Sequence, residues 1–215
     1  LAAITDWSPP VPRAYGGVSP EQRRAERRAR LLQAGLELFT STGFAATKIT
    51  ELCTEAGVST RNFYEEFGSK EDLLRELHDL INATAFDRVR TALSELETAE
   101  VSTRIATLLD VFVRTVTADP RAPRLNYVEA VGVNAEIEQQ HVRWVTTWAE
   151  FIESEALRAA AAGVAPQRSY RLTAIALVGA VTGLLREWQA HEPPLAVDEI
   201  ATEIRELMLA AITRP

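Results

Sequence analysis

Residues 47–75 read TKITELCTEAGVSTRNFYEEFGSKEDLLR, and the middle of that stretch leaves the backbone few options. Ile49, Leu52, Cys53 and Ala56 fall at the i, i+3, i+4, i+7 positions of one buried helical face. Gly57 then supplies the residue that can turn left-handed and end the helix, and Val58 plugs the corner. Ser59 caps a new helix running to about Phe67, whose Phe63 and Phe67 point inward at i and i+4. Two short helices meeting at a glycine corner are therefore predicted, with Thr60, Arg61, Asn62 and Tyr64 left on the outer face of the second. Cys53 sits where close helix packing wants a small residue, so a packing role is expected of it.

The flanks extend the pattern. Ser19-Pro20-Glu21-Gln22 combines a cap, a proline at the first helical position and a capping-box partner, so a helix starts there and runs to about Ser41. Arg23, Arg24, Arg27, Arg28 and Arg30 cover less than half its circumference. Thr47 is positioned to cap the helix that follows. Residues 1–18, with three prolines and paired glycines, read as a flexible tail, in which Arg13 has a weak claim on a minor groove. The only two lysines, Lys48 and Lys70, bracket the two-helix segment. Helix-turn-helix pairs of this kind lay their second helix in the major groove of DNA, contacting bases from its N-terminal end. Arg61 could then read a guanine, while Tyr64, Lys70 and the amides near Thr47 reach phosphates.

The remainder is helix after helix, with spans near 70–96, 102–118, 122–131, 135–162, 168–190 and 197–213. The breaks fall at Asp119-Pro120, Gly132, Gly163–Pro166 and Pro193-Pro194. No stretch alternates as a strand does, so the fold is expected to be all-α. Three units are expected: the tail (1–18), a three-helix DNA-binding domain (19–70) and a larger helical domain for effector binding and dimerisation (71–215). The overall charge of −7 opposes nucleic-acid binding only in the mean, because residues 1–70 carry +1 and residues 71–215 carry −8. Screening keeps phosphate attraction local. One cysteine, no signal-peptide layout and a longest uncharged run of 14 residues (Leu172–Leu185) point to a cytoplasmic protein without a membrane span.

Small residues Ala174, Ala176, Gly179, Ala180 and Gly183 let the helix over 168–190 approach a neighbour closely. Ile200, Ile204, Leu207 and Ala211 give the helix over 197–213 one apolar stripe. Two such helices from each of two copies would form a four-helix homodimer interface, the reading preferred over one in which both serve one subunit's own core. Phe112, Tyr127, Trp144, Trp148 and Phe151 supply an aromatic set for a pocket or a core, with Asn126, His141 and Arg143 as polar anchors. A ligand held there would be a hydrophobic aromatic or alkyl small molecule.

Catalysis finds no support. Glu138 and His141 form half of a di-metal carboxylate signature, but neither His78 nor His191 has an acid at i−3 to complete it. No phosphate-binding glycine loop, nucleophile elbow or zinc-protease motif occurs, so no catalytic residue, metal or cofactor is expected.

Over residues 23–75 the sequence resembles the TetR family of bacterial repressors. The resemblance is carried by the basic first helix, Gly43-Phe44, Thr47, Ala56-Gly57-Val58-Ser59, Tyr64, Phe67 and Ser69-Lys70-Glu71-Asp72-Leu73-Leu74. It implies a homodimer binding a palindromic double-stranded operator through Thr47, Lys48, Ser59, Thr60, Arg61, Tyr64 and Lys70. It further implies a small effector that releases the DNA. Asn62 and Phe63 depart from the family's usual glycine and aliphatic residue, and Glu65-Glu66 from its neutral or histidine positions. Two acids beside a phosphate backbone oppose binding unless they turn away. A helical interaction module with a disabled reader is the alternative that this pair keeps open.

Overall fold

Helices form wherever the sequence offers a cap and an apolar stripe. The computed structural model describes residues 19–190 and 195–214, so the tail with Arg13, and the break at Pro193-Pro194, lie outside the described residues. Helix α1 (Pro20–Leu38) opens with the reciprocal capping box: Gln22 N donates to Ser19 Oγ, and Ser19 N to Gln22 Oε1. It loosens into a wide turn over Phe39–Gly43. Helices α2 (Ile49–Ala56) and α3 (Thr60–Glu66) meet at Gly57, whose φ of 61° is the left-handed conformation that the corner requires. Helix α2 starts one residue later than expected: Lys48 is its cap position, and Glu51 accepts from Lys48 N. The Thr47 hydroxyl turns back instead, donating to Gly43 O at 2.8 Å.

Helices α4 (Lys70–Ser94), α5 (Val101–Thr117), α6 (Arg121–Arg124, continued by a wide turn over Leu125–Glu129), α7 (Ala135–Ala161), α8 (Arg171–Ala190) and α9 (Val197–Thr213) complete the body. The fold is all-α, with a three-helix head and a larger helical body. No helix among the described residues is long and apolar enough to cross a membrane.

Two apolar clusters hold the chain together. The body cluster joins α5, α7, α8 and α9 around Trp148, Tyr170 and Leu185. The head cluster surrounds Leu31, Phe39, Leu52 and Phe63, and does not stop at residue 70. It takes in Leu73, Leu74, Leu77 and Ile81 of α4, then Leu125, Ala130 and Ile137 from the body. Glu129 reinforces the join by accepting from Phe44 N at 2.9 Å. Head and body are thus packed through one seam.

The C-terminal helices differ in part from the sequence expectation. The buried stripe of α9 is Ile200, Ile204, Met208 and Ile212, facing the subunit's own core, while Leu207 is partly exposed. The uncharged run in α8 buries only Ala174, Leu177, Val181 and Leu185. Its opposite face leaves Leu172, Ile175, Ala176, Gly179 and Gly183 exposed. Periodicity alone could not separate a helix buried all round from one with two apolar faces.

Candidate nucleic-acid interface and effector cavity

Lys48, Ser59, Thr60, Arg61 and Tyr64 lie together on the outer surface of α2 and α3, all exposed. The Ser59 hydroxyl accepts from Asn62 N, which leaves the remaining amides at the start of α3 directed outward. Arg61 stands free of the core at 88% side-chain exposure, in a loose i,i+4 pair with Glu65. Tyr64 is exposed too, its ring edge-on to Phe63 underneath.

Thr47 does not join this surface. It is 2% exposed, and its hydroxyl donates to Gly43 O in the wide turn after α1, so its side chain is turned inward rather than grouped with the exposed set. Lys70 is half-buried, and its ammonium donates to the carbonyls of Phe44, Ala45 and Thr47. Its first task is to hold the α1–α2 corner against the start of α4, over the Phe44 ring.

The acidic pair separates. Glu66 turns inward with its carboxylate fully enclosed, accepting from Arg24 Nε at 3.0 Å and Arg27 Nη2 at 3.1 Å. Arg28 donates to the Glu66 carbonyl, pairs with Glu76 and lies over Phe67. Three of the five arginines on α1 therefore tie α3 to the first helix, Arg27 and Arg28 partly buried and Arg24 still largely exposed. Only Glu65 remains beside the outer face. The sequence signal was present, since arginines spaced i, i+3, i+4 precede an acidic pair on a neighbouring helix, but the pairing is non-local. Burial pushes the Cys53 thiol up, in keeping with a packing role.

In the body, the expected aromatic set divides. Phe112, Tyr127 and Trp148 line an apolar slot with Leu108, Val178, Thr182 and Met208. Asn126, Tyr127 and His141 line an adjoining cavity with His78, Glu138, Thr182 and Arg186. Trp144 and Phe151 line neither: they pack on Phe86, and Trp144 Nε1 donates to Asp79. Arg143 is exposed and lines neither cavity. Sequence reasoning missed His78, Thr182 and Arg186, which converge from α4 and α8, and no spacing rule links those positions. Among the described residues no group of three His, Cys, Asp or Glu side chains could hold a metal ion.

A three-helix head presenting an exposed short helix, carried on a helical body with cavities, is the arrangement in which helix-turn-helix proteins offer a helix to the major groove. Residues 31–77 match the family model described as bacterial regulatory proteins, tetR family. The chain is 28% identical over 174 residues to the HTH-type transcriptional regulator TtgR of Pseudomonas putida, covering 78% of this chain and 82% of that protein. Its fold is similar to the fatty acid degradation regulator FadR of Bacillus halodurans, with a TM-score of 0.74 at 16% identity, covering 90% of this chain and 97% of that one. It is also similar to FadR of Bacillus subtilis in complex with stearoyl-CoA, with a TM-score of 0.72 at 15% identity, covering 85% and 97%. Over residues 31–77 the chain thus carries the pattern of the tetR family model, and over most of its length it is similar in sequence and fold to regulators of that kind.

Proposed function

We propose that the chain is a cytoplasmic, homodimeric repressor that leaves its operator when a small hydrophobic molecule enters the body. Residues 19–70 form the DNA-binding part and 71–215 the sensing and dimerising part. The observation that carries this reading is the composition of the outer face of α3 and its approach. Lys48, Ser59, Thr60, Arg61 and Tyr64 are exposed together, while Glu66 is folded away into an arginine cluster.

Arg61 is the base reader, and its bidentate contact to a guanine contributes about 1–3 kcal/mol of discrimination. Lys48, Ser59, Thr60 and Tyr64 position the helix on phosphates. Lys70 supports the corner and adds its field. A single α3 offers too few base contacts for specificity, so a second copy is required, about 34–36 Å away on a palindromic site. The exposed apolar face of α8, with α9 beside it, supplies the surface that joins the copies. The slot lined by Phe112, Tyr127 and Trp148 receives the effector, which shifts the equilibrium only through unequal affinity for the DNA-competent and DNA-incompetent states. A protein of similar fold is known with stearoyl-CoA bound, which supports a body able to hold an apolar ligand.

Fluorescence anisotropy against the DNA upstream of the chain's own coding region, at several salt concentrations, tests the reading. Binding that exceeds scrambled DNA by about a thousandfold and falls steeply with salt is expected. An Arg61→Ala change should relax base preference at one position in each half-site. Salt-independent binding, or equal affinity for both DNAs, would overturn it in favour of a protein-interaction module.

A further inference from the structure

The apolar slot has a polar neighbour that a purely hydrophobic ligand would leave unanswered. The adjoining cavity holds about 150 Å³ and shares Tyr127 and Thr182 with the slot. Its floor is made by His78 of α4 and Asn126 of the wide turn, 1% and 4% exposed. His78 Nδ1 and Asn126 Oδ1 are both buried without a hydrogen-bond partner. Native interiors seldom leave buried polar atoms unmet without a reason. Both residues line one cavity, and each brings to it a polar atom that the chain itself leaves without a partner.

The charges around the cavity lie elsewhere. Glu138 and Arg186 are exposed and stand at its rim. His78 is held neutral, its pKa lowered to about 4 by burial first and by His141 second. Burial pushes Tyr127 up to about 12, so it too stays uncharged. An ionised head lowered onto this floor would lose its water without gaining a counter-charge. A hydroxyl meets both orphaned atoms at once when the imidazole carries its proton on Nδ1, accepting from His78 Nδ1–H while donating to Asn126 Oδ1.

We propose that the effector carries a neutral hydroxyl on an aromatic or alkyl body, the hydroxyl seated between His78 and Asn126 and the body reaching the slot. This rests on the reading that the body binds a small effector. It also supplies a route to the head. Leu77 and Leu125, the chain neighbours of His78 and Asn126, both belong to the head cluster. A hydroxyl bridging His78 and Asn126 fixes the spacing of α4 and the wide turn at the point where both enter the seam.

The test uses three probes of matched size, 4-propylphenol, propylbenzene and 4-propylbenzoate, titrated calorimetrically into the full chain with and without operator DNA. The phenol is expected to bind roughly 10- to 100-fold more tightly than propylbenzene, the loss typical of leaving buried polar groups unpaired, and more tightly than the benzoate. A His78→Phe, Asn126→Leu variant should bind propylbenzene no more weakly and lose the phenol's advantage. The ranking in the unaltered chain decides the matter even where that variant fails to fold. Equal affinity for phenol and propylbenzene, a benzoate that binds tightest, or no binding of any probe overturns the assignment. The operator arm separates the two claims. A phenol that ranks first yet leaves DNA bound supports the hydroxyl site and refutes effector release. Release by propylbenzene as effective as by the phenol does the reverse.

Discussion

His78 illustrates how one side chain carries a measurable signature of its surroundings. Its imidazole faces His141 from α7 and neighbours Asp79, and burial dominates, lowering its pKa from 6.5 to about 4. Below pH 6.5 the unfolded chain takes up a proton that the folded chain refuses until about pH 4. Stability is therefore fully present above pH 6.5 and is lost as pH falls towards 4, by about 3 kcal/mol. A His78→Gln variant should show a flatter urea midpoint across that window, and parallel curves for both proteins would contradict the assignment. The two adjacent glutamates should behave oppositely. Glu65→Gln releases Arg61 from an exposed pair worth at most about 1 kcal/mol, so thermal stability should hold while operator affinity rises a few-fold at low salt. Glu66→Gln leaves the arginines around an enclosed neutral amide. A loss of about 3–5 kcal/mol in denaturant unfolding is expected. An equal response of the two variants in either assay would refute this division.

At the level of elements, what the sequence disclosed was whatever is decided within about four residues. The Ser19 box, the Gly57 corner, the Ser59 cap and the stripe of α2 all stand where local spacing put them. Side chains whose partners lie far along the chain were illegible. Lys70 reads as a free cation until Phe44 and Ala45 fold beneath it, and Glu66 reads as a liability until α1 closes over it. Trp144 and Trp148 are one turn apart, yet one packs outside the slot and the other within its wall, a choice made by α4. Helix α8 offers a direct test of its outward face. A Cβ at Gly179 or Gly183 would meet nothing within 4 Å, so a single chain tolerates a larger residue at either position. Gly179→Glu should leave helix content and monomer stability intact or improved, because glycine is a poor helix former. It should shift the protein from dimer to monomer in sedimentation velocity. A variant that stays dimeric would remove α8 from the interface.

Seen whole, the molecule is joined rather than hinged. The head cluster contains Leu125, Ala130 and Ile137, and Glu129 holds the amide of Phe44, so the head's core is incomplete without the body. Heating should accordingly give one cooperative transition, with far-ultraviolet circular dichroism and tryptophan fluorescence superimposed. Three of the four tryptophans, Trp144, Trp148 and Trp188, report from the body, so early loss of helix while their fluorescence holds would reveal a head that melts alone. The same seam has a consequence for how the protein is titrated in a cell. Whatever factor an occupant of the cavity imposes on operator affinity, the operator must impose on affinity for that occupant. Under the proposed release, DNA held by α3 is itself a modulator of the cavity, and the molecules already on their promoters are the least sensitive to the signal that would free them.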